Sequence, residues 1–161
     1  FTAAINGKAG SSRGDYNPAE DDDETVAAVN SNVNALGYLG LAYLEENKQK
    51  LKAVAISWND KNPVLPSAKS VLDGTYQPLS RPIMIYVNAA SLNKPEVKAF
   101  AVYYMTNGSK LVKKVKYVEL PASAYKLGLA RINNQVKGTS FGGENQIGLK
   151  IEDVMNRQPK L

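Results

Sequence analysis

The residues best suited to binding chemistry lie close together near the start of the chain, in residues 10–16 (GSSRGDY) and in the acidic run at residues 20–24 (EDDDE). Ser11 and Ser12 supply hydroxyls, Arg13 supplies a fixed cation, and Asp15 supplies a carboxylate. Hydroxyl and backbone N–H donors can surround an oxyanion, and an arginine can grip it through two parallel hydrogen bonds. This combination is typical of a phosphate site.

The same stretch has a simpler interpretation as a solvated loop that leads into an acid-capped helix. Surface loops rich in glycine and serine are common. Acidic residues in a first helical turn complement the positive end of the helix dipole, so the run at residues 20–24 needs no ligand. Composition alone favours this second interpretation.

Overall composition limits the possible functions. The chain has 161 residues, of which 43% are hydrophobic, and its 20 Lys and Arg against 15 Asp and Glu give a net charge of +5. This fits one domain or two small pieces, and it favours anionic partners in general. Cysteine and histidine are absent, which removes disulfides, thiolate metal sites and the commonest general base. Any enzyme would therefore have to use carboxylates, lysine or tyrosine. The sequence gives no sign of catalysis or of a metal, and we expect no enzyme activity and no cofactor.

Two other patterns allow a functional interpretation. Four lysines within residues 110–116, followed by Tyr117, could contact nucleic acid, but one small cluster on a mildly basic chain favours a solvated face. Asp15 with Asp21 or Asp22 could form a hydrolase carboxylate pair, although nothing in the sequence sets their separation. We expect no nucleic-acid partner.

The hydrophobic pattern predicts helices and strands that would position these residues. Glycine, proline and capping residues predict seven helical segments: residues 1–6 ending at Gly7, a helix beginning near Pro18 or Ala19, residues 41–47, a Ser67-capped helix to Leu72, an Asn93-capped helix to Asn107-Gly108, a helix opened by Pro121, and residues 151–155. Three apolar stretches predict strands. Residues 35–39 predict a short buried strand or a strand-to-helix junction, the alternation at residues 51–56 predicts a strand, and residues 83–87 predict a strand buried on both faces.

Six segments carry a resemblance to a known family: residues 1–8 (FTAAINGK), 10–16 (GSSRGDY), 20–22 (EDD), 35–43 (ALGYLGLAY), 73–82 (DGTYQPLSRP) and 117–121 (YVELP). In this order they resemble the C-terminal part of the periplasmic phosphate-binding protein (PstS) of the bacterial ABC phosphate transporter, in its cyanobacterial and Gram-positive variety. The resemblance implies a solute-binding protein that captures inorganic phosphate and delivers it to the membrane subunits of an ABC transporter. It also implies a periplasmic or cell-surface location.

The resemblance implies an α/β fold of the type II periplasmic-binding-protein kind, with two lobes joined by crossing strands. Residues 1–77 would be the remainder of the second lobe, and residues 78–161 the C-terminal completion of the first. In the family a Ser-Gly-Thr ligand motif and the first-lobe loops lie ahead of the matched part, and this chain lacks them. We therefore expect a partial receptor whose partner is the missing N-terminal part, and which alone binds phosphate weakly.

The resemblance also implies residue roles. Arg13 matches the phosphate-gripping arginine, Ser12 and Ser11 are neighbouring donors, and Asp15 orients Arg13. Gly37 and Tyr38 would line or support the cleft. The alternative is a non-transport structural or surface-interaction module derived from a phosphate receptor.

Overall fold

The computed structural model describes residues 1–142 and 146–160. The chain divides into two compact units, Phe1–Ser80 and Arg81–Leu161. The boundary predicted from the sequence lies between residues 77 and 78, and the assignment of the two parts to lobes stays a prediction.

The first unit contains four short helices: α1 (Thr2–Asn6), α2 (Asp22–Ser31), α3 (Leu41–Glu46) and α4 (Ala68–Leu72). α1 ends, as predicted, at Gly7, whose φ of 72° is left-handed and favours glycine. The acidic first turn of α2 is confirmed, but the helix begins later than predicted. The reason is local: the Asp21 side chain accepts a hydrogen bond from the Asp23 N–H at 2.7 Å and therefore caps the helix there.

α4 shows how strongly local signals determine this unit. Ser67 accepts from the backbone N–H of Ser70, and the Ser70 hydroxyl is within hydrogen-bond distance of the Ser67 backbone N–H. This reciprocal capping box satisfies two donors that the first turn would otherwise leave unpaired. The predicted Ser67 cap is confirmed.

The second unit contains a short 3-10 helix (Ser91–Asn93) and the helices α5 (Pro95–Lys114), α6 (Ala122–Asn133) and α7 (Ile151–Asn156). The prediction that Asn93 caps α5 and that Asn107-Gly108 ends it is wrong, because Lys94 is the N-cap and the helix continues to Lys114. Gly108 has a packing role instead: a Cβ at this position would lie 2.7 Å from the Tyr125 ring on α6. Within the described ranges, no helix combines the length and the apolar character needed to cross a membrane.

The three predicted strands are not formed in the described part of the chain. Its only β-type pairing is two isolated antiparallel bridges, Ile56 with Val64 and Thr139 with Lys160. Leu36 is 81% exposed and Ile83 is 66% exposed, so the prediction of buried strands at residues 35–39 and 83–87 is wrong. A strand needs a neighbouring strand to pair its backbone, and no described segment pairs with residues 83–87. The predicted α/β fold is therefore not confirmed by these residues.

Candidate functional site

The loop at residues 8–12 is held against α1 by two side chains of that helix. The N–H of Gly10 donates to the Thr2 hydroxyl at 2.8 Å, and the Asn6 side-chain amide donates to the Ser11 carbonyl at 2.6 Å. Gly7 turns the chain back after α1, which brings these partners together. The start of the predicted anion loop is thus fixed by local contacts.

Arg13 and Asp15 form a bidentate ion pair. Arg13 Nε donates to Asp15 Oδ1 at 2.8 Å, and Nη2 donates to Oδ2 at 2.7 Å. The hydrogen bonds from Arg13 lower the pKa of Asp15, and the same pairing raises the pKa of Arg13. The side chains are 85% and 68% exposed, so water screens the pair strongly. The structure thus pairs Arg13 with Asp15, and the role of Asp15 in orienting Arg13 for a ligand stays a prediction.

A guanidinium has five N–H donors, and the pair with Asp15 uses one on Nε and one on Nη2. The other three donors remain directed away from the carboxylate. They can still reach an anion through two parallel hydrogen bonds.

The two serines offer hydroxyls rather than backbone donors. The N–H of Ser12 already donates to the Gly10 carbonyl at 3.0 Å, and the N–H of Ser11 donates to the Lys8 carbonyl at 3.4 Å. Both side chains are exposed, and neither hydroxyl has a hydrogen-bond partner in residues 1–142 or 146–160. Any ligand contact from these residues would therefore come from the hydroxyl groups.

Gly37 and Tyr38 connect the extended segment at residues 35–40 to the helices α1 and α2. A Cβ at Gly37 would lie 2.8 Å from a methyl group of Val29 and 2.9 Å from the methyl group of Thr25, both on α2. The Tyr38 ring stacks on the Phe1 ring, with centroids 4.2 Å apart and an interplanar angle of 3°. The segment thus packs on α2 through Gly37 and on the start of α1 through Tyr38.

The charges are divided unequally between the two units. Residues 1–80 hold 7 of the 20 Lys and Arg and 10 of the 15 Asp and Glu, a net charge of −3, whereas residues 81–161 hold 13 and 5, a net charge of +8. The modest total of +5 conceals this difference. The net negative charge of residues 1–80 does not attract an anion to Arg13. Anion binding there would therefore depend on nearby hydrogen-bond donors.

The lysine cluster has a structural role that the sequence analysis did not assign. Lys113 and Lys114 lie in the last turn of α5, where cations complement the helix dipole. Lys113 Nζ pairs with Glu119 at 2.9 Å, and the Ser109 hydroxyl donates to the same carboxylate at 2.6 Å. The hydrogen bond from Ser109, and then Lys113, lowers the pKa of Glu119. These contacts connect α5 to the segment that leads into α6.

Two polar residues of the stretch 73–82, Gln77 and Ser80, were not identified from the sequence. Gln77 is only 9% exposed, and its Oε1 atom and the Ser80 hydroxyl oxygen are buried without a hydrogen-bond partner among the described residues. Side-chain burial in an irregular segment leaves no periodic signal, so the sequence could not reveal them. Within the described part of the chain, no cluster of three or more His, Cys, Asp or Glu could hold a metal ion.

The chain is similar to several known proteins, although no protein-family model matches it. It is 40% identical over 158 residues to protein SphX of Synechococcus elongatus, a match that covers 98% of this chain and 47% of the relative. It is 43% identical over 159 residues to protein SphX of Synechocystis sp., with the same coverages. It is 34% identical over 107 residues to the phosphate-binding protein PstS of Staphylococcus haemolyticus, covering 66% of this chain and 34% of the relative.

A solved structure adds a similarity in three dimensions. The crystal structure of a possible phosphate binding protein from Planctomyces limnophilus matches with a TM-score of 0.66 and 42% sequence identity, over 84% of this chain and 49% of that one. The relatives whose names or titles state a function are binding proteins and not enzymes, which confirms the prediction that this chain is not an enzyme. The chain spans about half the length of the SphX relatives that it matches. The comparisons therefore support a relationship to a phosphate-binding protein family, without singling out PstS.

Proposed function

We propose that the chain is part of a solute-binding protein that captures inorganic phosphate between two α/β lobes and delivers it to an ABC transporter. The observation that carries this proposal is the similarity to a possible phosphate binding protein, at 42% identity and a TM-score of 0.66 over 84% of the chain. The resemblance of residues 1–8, 10–16 and 73–82 to the transporter's phosphate receptor adds the membrane subunits as partners and a periplasmic or cell-surface location.

In this proposal Arg13 is the cation that grips phosphate. Its three unused N–H groups can donate to two phosphate oxygens, while Asp15 prevents the guanidinium from turning. The free hydroxyls of Ser11 and Ser12 lie next to Arg13 in the chain and would donate to the remaining oxygens. Gly37 and Tyr38 support this arrangement by packing the neighbouring segment on α1 and α2.

The exposure of Arg13 determines how strong such a site can be. Hydrogen bonds between charged groups are worth little while water competes for them, and much more once water is excluded. At 85% exposure the Arg13 side chain is not yet in a water-excluded site. We therefore assign the remaining ligand groups, and the surface that excludes water, to the half of the relatives' length that this chain does not match. The 161-residue chain alone is expected to bind phosphate weakly.

The test is calorimetric titration of inorganic phosphate into a polypeptide of the relatives' length that carries this chain. Arg13→Ala should weaken binding by about a hundredfold or more, because a desolvated anion loses its charge-assisted hydrogen bonds. Lys8→Ala is the matched control, since it removes one positive charge from the same exposed loop and leaves the N–H donors of the Arg13 guanidinium in place. It should leave the affinity nearly unchanged.

The possible results distinguish the role of Arg13 as a ligand from phosphate binding by the protein as a whole. Unchanged phosphate affinity in Arg13→Ala would reject Arg13 as a ligand and leave the receptor function standing. Absence of phosphate binding by the unmodified protein, with sulfate as the comparison anion, would reject the function itself. Equal losses in Arg13→Ala and Lys8→Ala would show that only net charge matters.

A further inference from the structure

The chain contains two Asn-Gly pairs, Asn6-Gly7 and Asn107-Gly108. In such a pair the backbone nitrogen of the glycine can attack the side-chain carbonyl carbon of the asparagine, because glycine has no side chain to hinder the approach or to restrict the backbone. The attack needs a glycine N–H that is not held in a hydrogen bond and a backbone that can rotate. The two pairs meet these conditions unequally.

Asn6-Gly7 lies at the exposed end of α1. Asn6 is the last residue of this five-residue helix, and both Asn6 and Gly7 are exposed. The helix has no buried residue, and its N-cap makes no side-chain hydrogen bond. The N–H of Gly7 makes no hydrogen bond in the described part of the chain. Because so short a helix is marginal and frays at its ends, Asn6 can rotate while the rest of the chain stays folded.

Asn107-Gly108 lies in the interior of α5 and is held on both sides of the reacting bond. The N–H of Gly108 belongs to the hydrogen-bond pattern of the helix, and Gly108 is buried against the Tyr125 ring. The side-chain amide of Asn107 donates to the Tyr103 carbonyl at 3.0 Å. Opening the backbone here would break helical hydrogen bonds and the packing on α6, so the same dipeptide is protected.

A third pair, Asp73-Gly74, can close the same ring by losing water. The N–H of Gly74 donates to the Val71 carbonyl at 3.3 Å. Asp73 Oδ1 accepts hydrogen bonds from the N–H and the hydroxyl of Thr75, at 3.0 and 2.6 Å. Both reacting groups are therefore engaged. Of the three pairs, only Asn6-Gly7 combines a glycine N–H without a hydrogen bond with an exposed helix end.

We propose that Asn6 is a site of spontaneous deamidation, and that its deamidation releases the loop at residues 8–12. The Gly7 nitrogen forms a bond to Asn6 Cγ, the bond between Cγ and Nδ2 breaks, and Nδ2 leaves as ammonia with the proton of the Gly7 nitrogen. Water then opens the resulting succinimide ring at one of its two carbonyl carbons. Opening at Cγ gives aspartate. Opening at the backbone carbonyl gives isoaspartate, in which the main chain runs through the former side chain.

Deamidation removes the donor that ties α1 to this loop. Asn6 Nδ2 donates to the Ser11 carbonyl at 2.6 Å. A carboxylate in its place has no donor and would face that carbonyl oxygen with a negative charge. Isoaspartate also lengthens the main chain between α1 and Gly10, whose N–H donates to the Thr2 hydroxyl. The loop contains Ser11 and Ser12, so the deamidated form would bind phosphate more weakly, a consequence that rests on the proposed function.

The experiment incubates the 161-residue chain at neutral pH without phosphate and follows both asparagines by tryptic digestion and mass spectrometry. Trypsin places them in separate peptides, residues 1–8 and 99–110. Asn6 should lose its amide at least about tenfold faster than Asn107, because local opening is frequent at helix ends and rare inside packed helices. In denaturant both pairs are open, so the two rates should become similar. Equal rates in the folded chain, or a ratio that denaturant leaves unchanged, would overturn the proposal.

The variant Asn6→Asp carries the product from the start and tests the release of the loop. Hydrogen exchange at the Gly10 amide, followed by NMR, should be at least about threefold faster than in the unmodified chain, because the loop opens more often. Asn17→Asp is the matched control, since it adds the same charge at an exposed position of the same unit and keeps the donor to Ser11.

The control should leave exchange at Gly10 unchanged. Unchanged exchange in Asn6→Asp, or equal acceleration in Asn17→Asp, would overturn the release of the loop. Phosphate is absent throughout, so a failure here is distinct from a failure of phosphate binding.

Discussion

Replacing Gly37 with alanine tests whether the segment at residues 35–40 is held on α2 by close backbone approach. An added Cβ would lie 2.8 Å from a Val29 methyl group and 2.9 Å from the Thr25 methyl group. Distances under about 3 Å between carbon atoms are strongly repulsive, since carbon contacts are favourable at about 3.5–4.0 Å. Valine and threonine on a helix have stiff χ1 angles and cannot easily rotate away. The segment itself must therefore move.

The net effect of Gly37→Ala combines two opposing contributions to the free energy of unfolding. Overpacking costs about 1–3 kcal/mol. Gly37 does not have a left-handed backbone, so alanine also restricts the unfolded chain and recovers about 0.4–1 kcal/mol. The difference is a loss between about 0 and about 2.6 kcal/mol, with a central value of about 1 kcal/mol. Movement of the segment would also disturb the stacking of Tyr38 on Phe1. Phe1 is next to Thr2, whose hydroxyl accepts the hydrogen bond from Gly10 in the loop at residues 8–12.

Urea unfolding of the chain, followed by circular dichroism, measures this loss. Gly14→Ala is the control, because a Cβ at Gly14 meets nothing within 4 Å and its backbone is also not left-handed; it should be neutral or slightly stabilising. Adding Val29→Ala to Gly37→Ala should recover part of the loss by removing one of the two clashes. Equal stability of Gly37→Ala and Gly14→Ala would refute the close packing of Gly37 on α2.

Two further predictions concern the second unit. Gly108→Ala should destabilise the chain by roughly 1–2 kcal/mol despite alanine's higher helix propensity, since its Cβ would lie 2.7 Å from the Tyr125 ring; chemical denaturation measures this, and full stability would contradict the close α5–α6 packing. Glu119→Gln should lower the melting temperature near about pH 7, and this effect should become smaller as the pH falls below 4.5. The reason is that Ser109 and Lys113 lower the pKa of Glu119 in the folded state from its ordinary value of 4.5, so its contribution is present above that value and is lost as the pH falls through the folded-state pKa. A difference in melting temperature that does not change with pH would argue against this pairing.

The end of α1 and the start of α4 were predictable from the sequence because their causes are local. Gly7 ends α1 through a left-handed backbone, and Ser67 opens α4 through a capping box within four residues. The acidic first turn of α2 was also predictable, although the helix begins at Asp22 rather than near Pro18 or Ala19. Each of these interactions joins residues close in sequence, so residue type and order are enough to predict them.

Interactions between distant residues were not predictable in the same way. Asn107-Gly108 is a typical helix-ending pair, yet α5 continues to Lys114, and Gly108 packs against the Tyr125 ring, 17 residues away in sequence. The apolar run at residues 83–87 has the composition of a buried strand, but burial and pairing depend on a partner segment. Composition indicates what a segment can do, and tertiary context decides whether it does so.

The candidate site likewise combines local contacts, which the sequence indicates, with tertiary contacts, which it does not. Arg13 and Asp15 are two residues apart, and the structure joins them in a bidentate pair. The phosphate contacts assigned to Arg13, Ser12 and Ser11 stay a prediction. The burial of Gln77 and Ser80, in contrast, is a tertiary property that no local pattern indicates.

The uncovered surface of α5 connects stability with the proposed binding function. Ala101 and Gly108 are buried on one side of this helix, while Phe100 and Tyr103 remain 67% and 57% exposed. A helix with apolar residues on two sides is normally covered on both. In the proposed receptor, the part of the relatives' length that this chain does not match would cover this side of the helix. Adding that part should therefore raise the melting temperature of the chain, and an unchanged melting temperature in its presence would contradict the prediction.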